Sequence, residues 1–499
     1  GIQYQFPGDV IPMTSVQGGR TPKVLHVSPE AVPFSKVGGL GDVAGSLPAA
    51  LRDSGTDCRL LTPAWEGVLD RARELGFSLS RLSRKAEAVI RWKIHRGTVW
   101  KCSGEGLVAY LLEEPSLFGK TVYPRELTPD SVTPFLFLSL AALDLPSATL
   151  WKPDIIHCHD WGTAPLPAAL KWHIHFGSSG DVCKTVFTIH NLAHQGLLSL
   201  ESLGDWGIRN EAARVEGMEY FGMANLMKGA LVSCNAITTV SPGYAEEILT
   251  EEGGEGLGGL LKSLSGKVSG ILNGLDDRYW DPRTDPLLPE RYSPDNLSGK
   301  TACKKKLLER AGWKDDGRPL LVSVGRMVEQ KGFSILLPAL EELVGMNCRL
   351  FLVGSGQTEY EEAADSAAAR FPGSVFVFRG YDEPLAHLAY AGGDFFLMPS
   401  RFEPCGLSQL ISLRYGTVPI VRAAGGLRDT VFEHGTPGGN GFLFSGYTPE
   451  DLLEAVARAM EVFRDKDSMQ LLSLRGMNAD FSWNRSAPLY KKLYESLLL

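Results

Sequence analysis

Ser35-Lys36-Val37-Gly38-Gly39-Leu40-Gly41-Asp42-Val43 is the stretch on which the fold turns. The apolar run Val24-Leu25-His26-Val27 precedes it and reads as a buried strand, and Ala44–Leu51 follows and reads as a helix. Strand, glycine loop and helix in that order make an anion site. Glycine lets the backbone approach a ligand closely, and a helix start offers unpaired N–H groups. Lys36 adds a positive charge, so the loop suits a phosphate-bearing substrate. The spacing is neither G-x-x-x-x-G-K-[ST] nor G-x-G-x-x-G, so it is not a Walker-type loop or the dinucleotide fingerprint. A tight structural turn is the competing reading, and the loop alone does not separate the two.

Outward from this loop, short apolar runs alternate with helical stretches. Cys58–Thr62, Ile155–Cys158, Thr185–Ile189 and Ala236–Val240 read as buried strands of a parallel sheet. Ala86–Trp92, Thr98–Cys102 and Leu107–Leu112 read as a small meander added to it. A second alternation covers Pro319–Val324, Cys348–Val353, Ser374–Phe378, Phe395–Met398 and Pro419–Val421, with helices such as Ser334–Val344 and Glu359–Arg370 between. The expected fold class is α/β, two parallel-sheet domains facing a cleft. The expected divisions are a flexible tail over 1–22, a first domain over 23–268, a second over 269–483 and a final amphipathic helix over 484–499.

Composition narrows the function classes. The 499 residues are 44% hydrophobic and 22% charged, ordinary for globular domains. With 50 basic against 58 acidic residues, the net charge of −8 argues against a nucleic-acid or membrane surface. Eight cysteines are scattered without a C-x-x-C and read as reduced core thiols. No apolar run approaches the roughly 18 residues of a membrane span, and residues 1–22 lack the apolar core of a signal peptide.

The second half carries matching chemistry. Val322-Ser323-Val324-Gly325-Arg326 is a strand ending in arginine, and Lys331 follows in Glu329-Gln330-Lys331-Gly332. Arg supplies a fork and Lys a point charge, which suits a diphosphate; neutralisation by Glu329 is the alternative. Beyond Phe395–Met398, the loop Pro399-Ser400-Arg401-Phe402-Glu403-Pro404-Cys405 leads into a helix at Gly406-Leu407-Ser408. A carboxylate there accepts bonds from hydroxyls, and the N–H groups suit a phosphate or sugar. The combination says sugar plus phosphate. In the first half, His190 and Asn191 end a strand. His157, His159 and Asp160 form H-x-H-D-W, whose two histidines share a strand face, with no further ligand at metal spacing nearby. Asp160 and Trp161 read as lining the cleft, and Tyr381 as a platform for a flat base.

With these residues in hand, the chain resembles the glycogen/starch synthases. The matching pieces include Lys36-Val37-Gly38-Gly39-Leu40, His159-Asp160-Trp161, Thr188–Gly196, Thr239–Tyr244, Leu272–Asp276, Arg326, Gln330-Lys331-Gly332, Ser400–Leu407, Gly425-Gly426-Leu427 and Asp480–Trp483, in family order. The resemblance implies the GT-B fold. It implies retaining transfer of glucose from ADP-glucose, with UDP-glucose as the alternative donor, to the non-reducing 4-hydroxyl of an α-1,4-glucan. It implies His190, Arg326, Lys331 and Glu403 as catalytic. Lys36, Gly38, Gly39, Asp42, Asp160, Asn191, Asn273, Tyr381, Cys405, Gly406, Leu407 and Ser408 are implied to bind substrate. No cofactor, metal, nucleic acid or membrane is expected, and a bacterial-type cytoplasm or a plastid is the expected compartment. Val37 stands where many members have Thr, Gly162 where many bacterial members have His, and Gly325 where Ser is usual; the first two bear on acceptor preference. Another retaining nucleotide-sugar transferase, a sugar-nucleotide epimerase and an inactive glucan-binding relative are the competing readings.

Overall fold

The computed structural model describes residues 21–178 and 183–499. The tail expected over 1–22 therefore lies, except for its last two residues, outside the described residues. The chain divides into two compact units, one running to Gly274 and including Trp483–Leu499, the other Leu275–Ser482. The first division falls after Gly274 rather than after Val268, because Val268–Gly270 is itself a strand, parallel to Ala236–Thr239, and completes the first sheet.

The first unit is built on a 10-stranded sheet. At its centre Lys23–Val27 lies between Asp57–Pro63 and Ile155–His159, parallel to both. Lys184–Ile189, Ala236–Thr239 and Val268–Gly270 continue the parallel run beyond Ile155–His159. Chain order thus reverses beside Lys23–Val27, the kind of switch point where open α/β sheets bind ligands. Val24, Leu25 and Val27 are fully buried, as strands covered on both faces require. The meander joins the other edge: Leu107–Glu113 is parallel to Asp57–Pro63, and Lys93–Gly104 runs antiparallel to it. Ser78–Arg81, too polar to be read as a strand, pairs at that edge.

Two helices matter for this sheet. Pro129–Thr149, capped by Thr128 and Ser131, is long and apolar enough by length and composition to cross a membrane. That corrects the reading of no such run. It is a core helix here, since 61% of its apolar window is buried and its Phe135 ring packs against Trp161, the centroids 4.5 Å apart. Trp483–Leu497 packs on the sheet face, with Tyr490 and Tyr494 among Val24, Leu47, Ile155 and Val186. All eight cysteines are free, and all but Cys183 are buried.

The second unit holds a six-stranded, wholly parallel sheet: Val375–Arg379, Arg349–Gly354, Leu320–Val324, Phe395–Met398, Val418–Arg422 and Phe442–Phe444. Numbered along the chain this is the doubly wound order 3-2-1-4-5-6, with its switch point between Leu320–Val324 and Phe395–Met398. The core beneath it gathers Leu321, Leu336, Leu350, Leu397, Ile420 and Val456. The last strand, three residues long, is too short to register as a periodic run.

Candidate active site

In the second unit both loops at the switch point carry candidate residues. Lys331 follows Leu320–Val324, Glu403 follows Phe395–Met398, and Lys331 Nζ donates to Glu403 Oε2 at 2.6 Å. Lys331 is therefore neutralised by Glu403 and not by Glu329, which instead accepts from Tyr360 and faces Arg401 at 3.6 Å. Gly332 makes the approach of the two loops possible. Its φ is +80°, and a Cβ there would lie 1.9 Å from the Pro399 carbonyl oxygen, so only glycine fits. Ser400, fully buried, donates to the same Oε2 at 3.1 Å. Glu403 Oε1 has no hydrogen bond within the described residues and is not enclosed, so a lone-pair edge stays open on a carboxylate whose other edge is fixed. Arg326 is exposed and has no ion pair among the described residues.

The wall expected from Cys405 to Ser408 divides by burial. Cys405 is 4% exposed, Gly406 turns at φ +76°, and Ser408 Oγ accepts from Tyr390. Leu407 stands at the N-cap of the helix Ser408–Arg414. Tyr381, beyond Val375–Arg379, is 73% exposed.

In the first unit the glycine loop is shorter than expected. The helix opens at Gly39, not Ala44, with Gly38 as its extended N-cap. Glu30, which the sequence reading missed, accepts from the Val37 and Gly38 N–H groups at 2.5 and 3.1 Å and from Tyr123 at 3.1 Å. The Gly38 amide expected to meet a phosphate is thus already held by a carboxylate of the chain. Burial raises the Glu30 carboxyl above its usual range against the pull of these donors. An acid at the end of the first strand was the available signal. Lys36 pairs with Asp42 at 2.8 Å, half-exposed. Two of the substrate residues expected here therefore hold each other.

Asp160 does not offer its carboxylate outward only. Oδ1 accepts from the His190 N–H at 2.7 Å and the Asn191 N–H at 3.4 Å, so it shapes the turn that carries both. Burial pushes its carboxyl up to about 7, with those amides pulling the other way. Asn191 Oδ1 accepts from the Ala193 N–H. Asn273 is buried, and its Oδ1 has no partner among the described residues.

The histidines behind this turn require a correction. A third ring, His26, joins His157 and His159, their nitrogens lying within 4.8 Å of one another. His26 pairs with His157 in register across neighbouring strands, which the sequence could not display. Each ring nitrogen of the three is already in a hydrogen bond: His26 with His159 and Tyr494, His157 with Tyr494 and Thr188, His159 with His26 and His190. An ion would have to displace these bonds, so the cluster is a polar network of the fold.

Residues 23–263 match the family described as starch synthase catalytic domain, and residues 305–469 that described as glycosyl transferases group 1. The glycogen synthase of Anaeromyxobacter sp. (strain Fw109-5) is 42% identical over 480 residues, covering 95% of this chain and 99% of that protein. That of Anaeromyxobacter dehalogenans (strain 2CP-C) is 44% identical over 484 residues, with the same coverage of both chains, 95% and 99%. Among solved structures, the catalytic domain of starch synthase IV from Arabidopsis thaliana, bound to ADP and acarbose, superposes with a TM-score of 0.88 at 34% identity, covering 96% of this chain and 99% of that one. With its two doubly wound units and its ordered motifs, the chain belongs to the glycogen/starch synthase family of GT-B glycosyltransferases.

Proposed function

We propose that this glucosyltransferase takes glucose from ADP-glucose and adds it, with retention at the anomeric carbon, to the non-reducing 4-hydroxyl of an α-1,4-glucan. The observation that carries the reading is the Lys331–Glu403 pair at the second sheet's switch point, with Arg326 beside it in sequence and free of an ion pair among the described residues. A carboxylate with one edge fixed and one edge open suits sugar hydroxyls. Two cations after the adjoining strand suit the diphosphate that leaves. Breaking the glycosidic bond puts charge on that diphosphate, and preorganised cations act most strongly on charge that develops in the transition state. In this reading Tyr381 packs on the base, Asn273 and His190 approach the sugar, and Lys36 and the glycine loop serve the phosphate side. A leaving phosphate oxygen takes the acceptor's proton on the same face, so no separate base is required.

The names of the relatives support glucan synthesis, and the solved relative bound to ADP supports an adenine donor. The test is nucleoside diphosphate release from ADP-glucose and UDP-glucose, each with and without a maltooligosaccharide primer. Faster, primer-dependent release from ADP-glucose supports the reading. Release that ignores the primer assigns a different acceptor, and faster release from UDP-glucose overturns the donor.

A further inference from the structure

Seven side chains form one unbranched hydrogen-bonded line through the first unit. It runs Thr238 Oγ1, Thr188 Oγ1, His157 Nε2 and Nδ1, Tyr494 Oη, His26 Nε2 and Nδ1, His159 Nε2 and Nδ1, and His190 Nε2. The links measure 2.5, 2.5, 2.7, 3.2, 2.9 and 2.9 Å in that order. The strands dictate the line. His26 is in register with His157, His159 with Thr188, and Thr188 with Thr238, so a polar row crosses four neighbouring parallel strands. Tyr494, from the final helix, closes the gap between His157 and His26.

Burial lowers the pKa of all four rings below the usual imidazole value, His159 to about 3, so each ring carries one N–H. When every interior group must also spend its one proton within the line, as buried donors require, only two arrangements remain, all donors pointing one way or all the other. Pointing from His190 toward Thr238, the last hydroxyl would be left to donate with no acceptor. Thr238 is fully buried, and its only side-chain hydrogen bond among the described residues is to Thr188. Pointing from Thr238 toward His190, every buried donor finds an acceptor. Thr188 then donates to His157 Nε2, His157 Nδ1–H to Tyr494, Tyr494 to His26 Nε2, His26 Nδ1–H to His159 Nε2, and His159 Nδ1–H to His190 Nε2. The proton of His190 is left on Nδ1. That atom has no partner among the described residues and is not enclosed.

We propose that this line is a polarised relay that sets the tautomer of His190, presenting Nδ1–H as a fixed hydrogen-bond donor to an oxygen of the bound sugar. His26 and Tyr494 are positioning residues that act through His159. The sugar as ligand rests on the function proposed above; the tautomer does not. The relay also ties the last helix of the chain to a residue of the transfer site through hydrogen bonds alone.

The test is ¹⁵N NMR of the full-length protein labelled at histidine, with the His190 signals identified by their loss in His190→Asn. The expected wild-type spectrum has Nδ1 protonated and Nε2 unprotonated. Tyr494→Phe removes the hydroxyl between His157 and His26 and frees the downstream rings to reverse. In that variant the His190 proton is expected to shift toward Nε2, with kcat down about tenfold and donor KM changed less than threefold. Tyr490→Phe, one turn earlier on the same helix and outside the line, is expected to leave spectrum and kcat unchanged. A wild-type His190 protonated at Nε2 overturns the relay, as does a Tyr494→Phe variant with unchanged tautomer and kcat. Glucose transfer with the wrong tautomer refutes the relay alone. The expected tautomer with no transfer from either donor supports the relay and refutes the function.

Discussion

Lys331 Nζ and Glu403 Oε2 lie 2.6 Å apart, on loops that leave the two strands flanking the second sheet's switch point. In the proposed function each residue has two tasks, holding its partner and meeting a ligand, and the variants separate them. Glu403→Gln keeps the size of the side chain and removes its charge. It is expected to stay folded and to lose about 10²–10³ in kcat, the usual cost of losing one preorganised electrostatic contact. Circular dichroism and steady-state rates check this together.

Arg326→Ala and Lys331→Met are expected to differ in stability though both lose rate. Arg326 is exposed and without an ion pair among the described residues, so its removal is expected to leave Tm unchanged. Lys331→Met leaves the buried Glu403 carboxylate with Ser400 as its only partner among the described residues, at a cost of about 1–3 kcal/mol. Thermal melts of the two variants, side by side, decide it.

Glu30→Ala is expected to loosen the glycine loop. It removes the acceptor of the Val37 and Gly38 N–H groups and of the Tyr123 hydroxyl; Val37 is 60% exposed, and an orphaned donor costs about 1–3 kcal/mol only where water does not replace the bond. Faster proteolytic cleavage within residues 31–41, with a lower Tm, is the expected result.

Asp160 gives a pH dependence with a definite sign. Its carboxyl is raised, by burial, to about 7 in the folded state, against about 3.9 unfolded. The stability it contributes is therefore fully present below about pH 4 and is lost as pH rises through about 7. Asp160→Asn retains an oxygen to accept from the His190 N–H and cannot ionise. The gap in Tm between variant and wild type is expected to widen in the variant's favour from pH 5 to pH 8. Denaturation midpoints across that range measure it.

Tyr381→Ala is expected to raise donor KM with little change in kcat, since an aromatic platform contributes about 1–3 kcal/mol per stacked base. Equal effects on ADP-glucose and UDP-glucose are expected, because every base has a face.

How much of this the sequence shows can be traced residue by residue. Apolar β-branched runs mark the central strands, and Gly332 and Glu403 sit where strand ends and helix starts are visible in the string. What it does not show is set by pairing across the chain. His26 looks like one polar residue in an apolar strand until register places it against His157. The partnership of Lys331 with Glu403 spans two strand–loop segments and depends on sheet order. Glu30 is ordinary until the loop folds back over it. Val268–Gly270, too short to stand out, moves the domain division.

The central claim is glucosyl transfer with retention onto a glucan end. The most direct measurement is ¹H NMR of the product formed early from ADP-glucose and a short maltooligosaccharide primer, before any secondary exchange. The expected result is a primer longer by one glucose, its new anomeric signal in the α range and stoichiometric with ADP released. A β anomeric signal, or ADP release without a lengthened primer, would contradict the account.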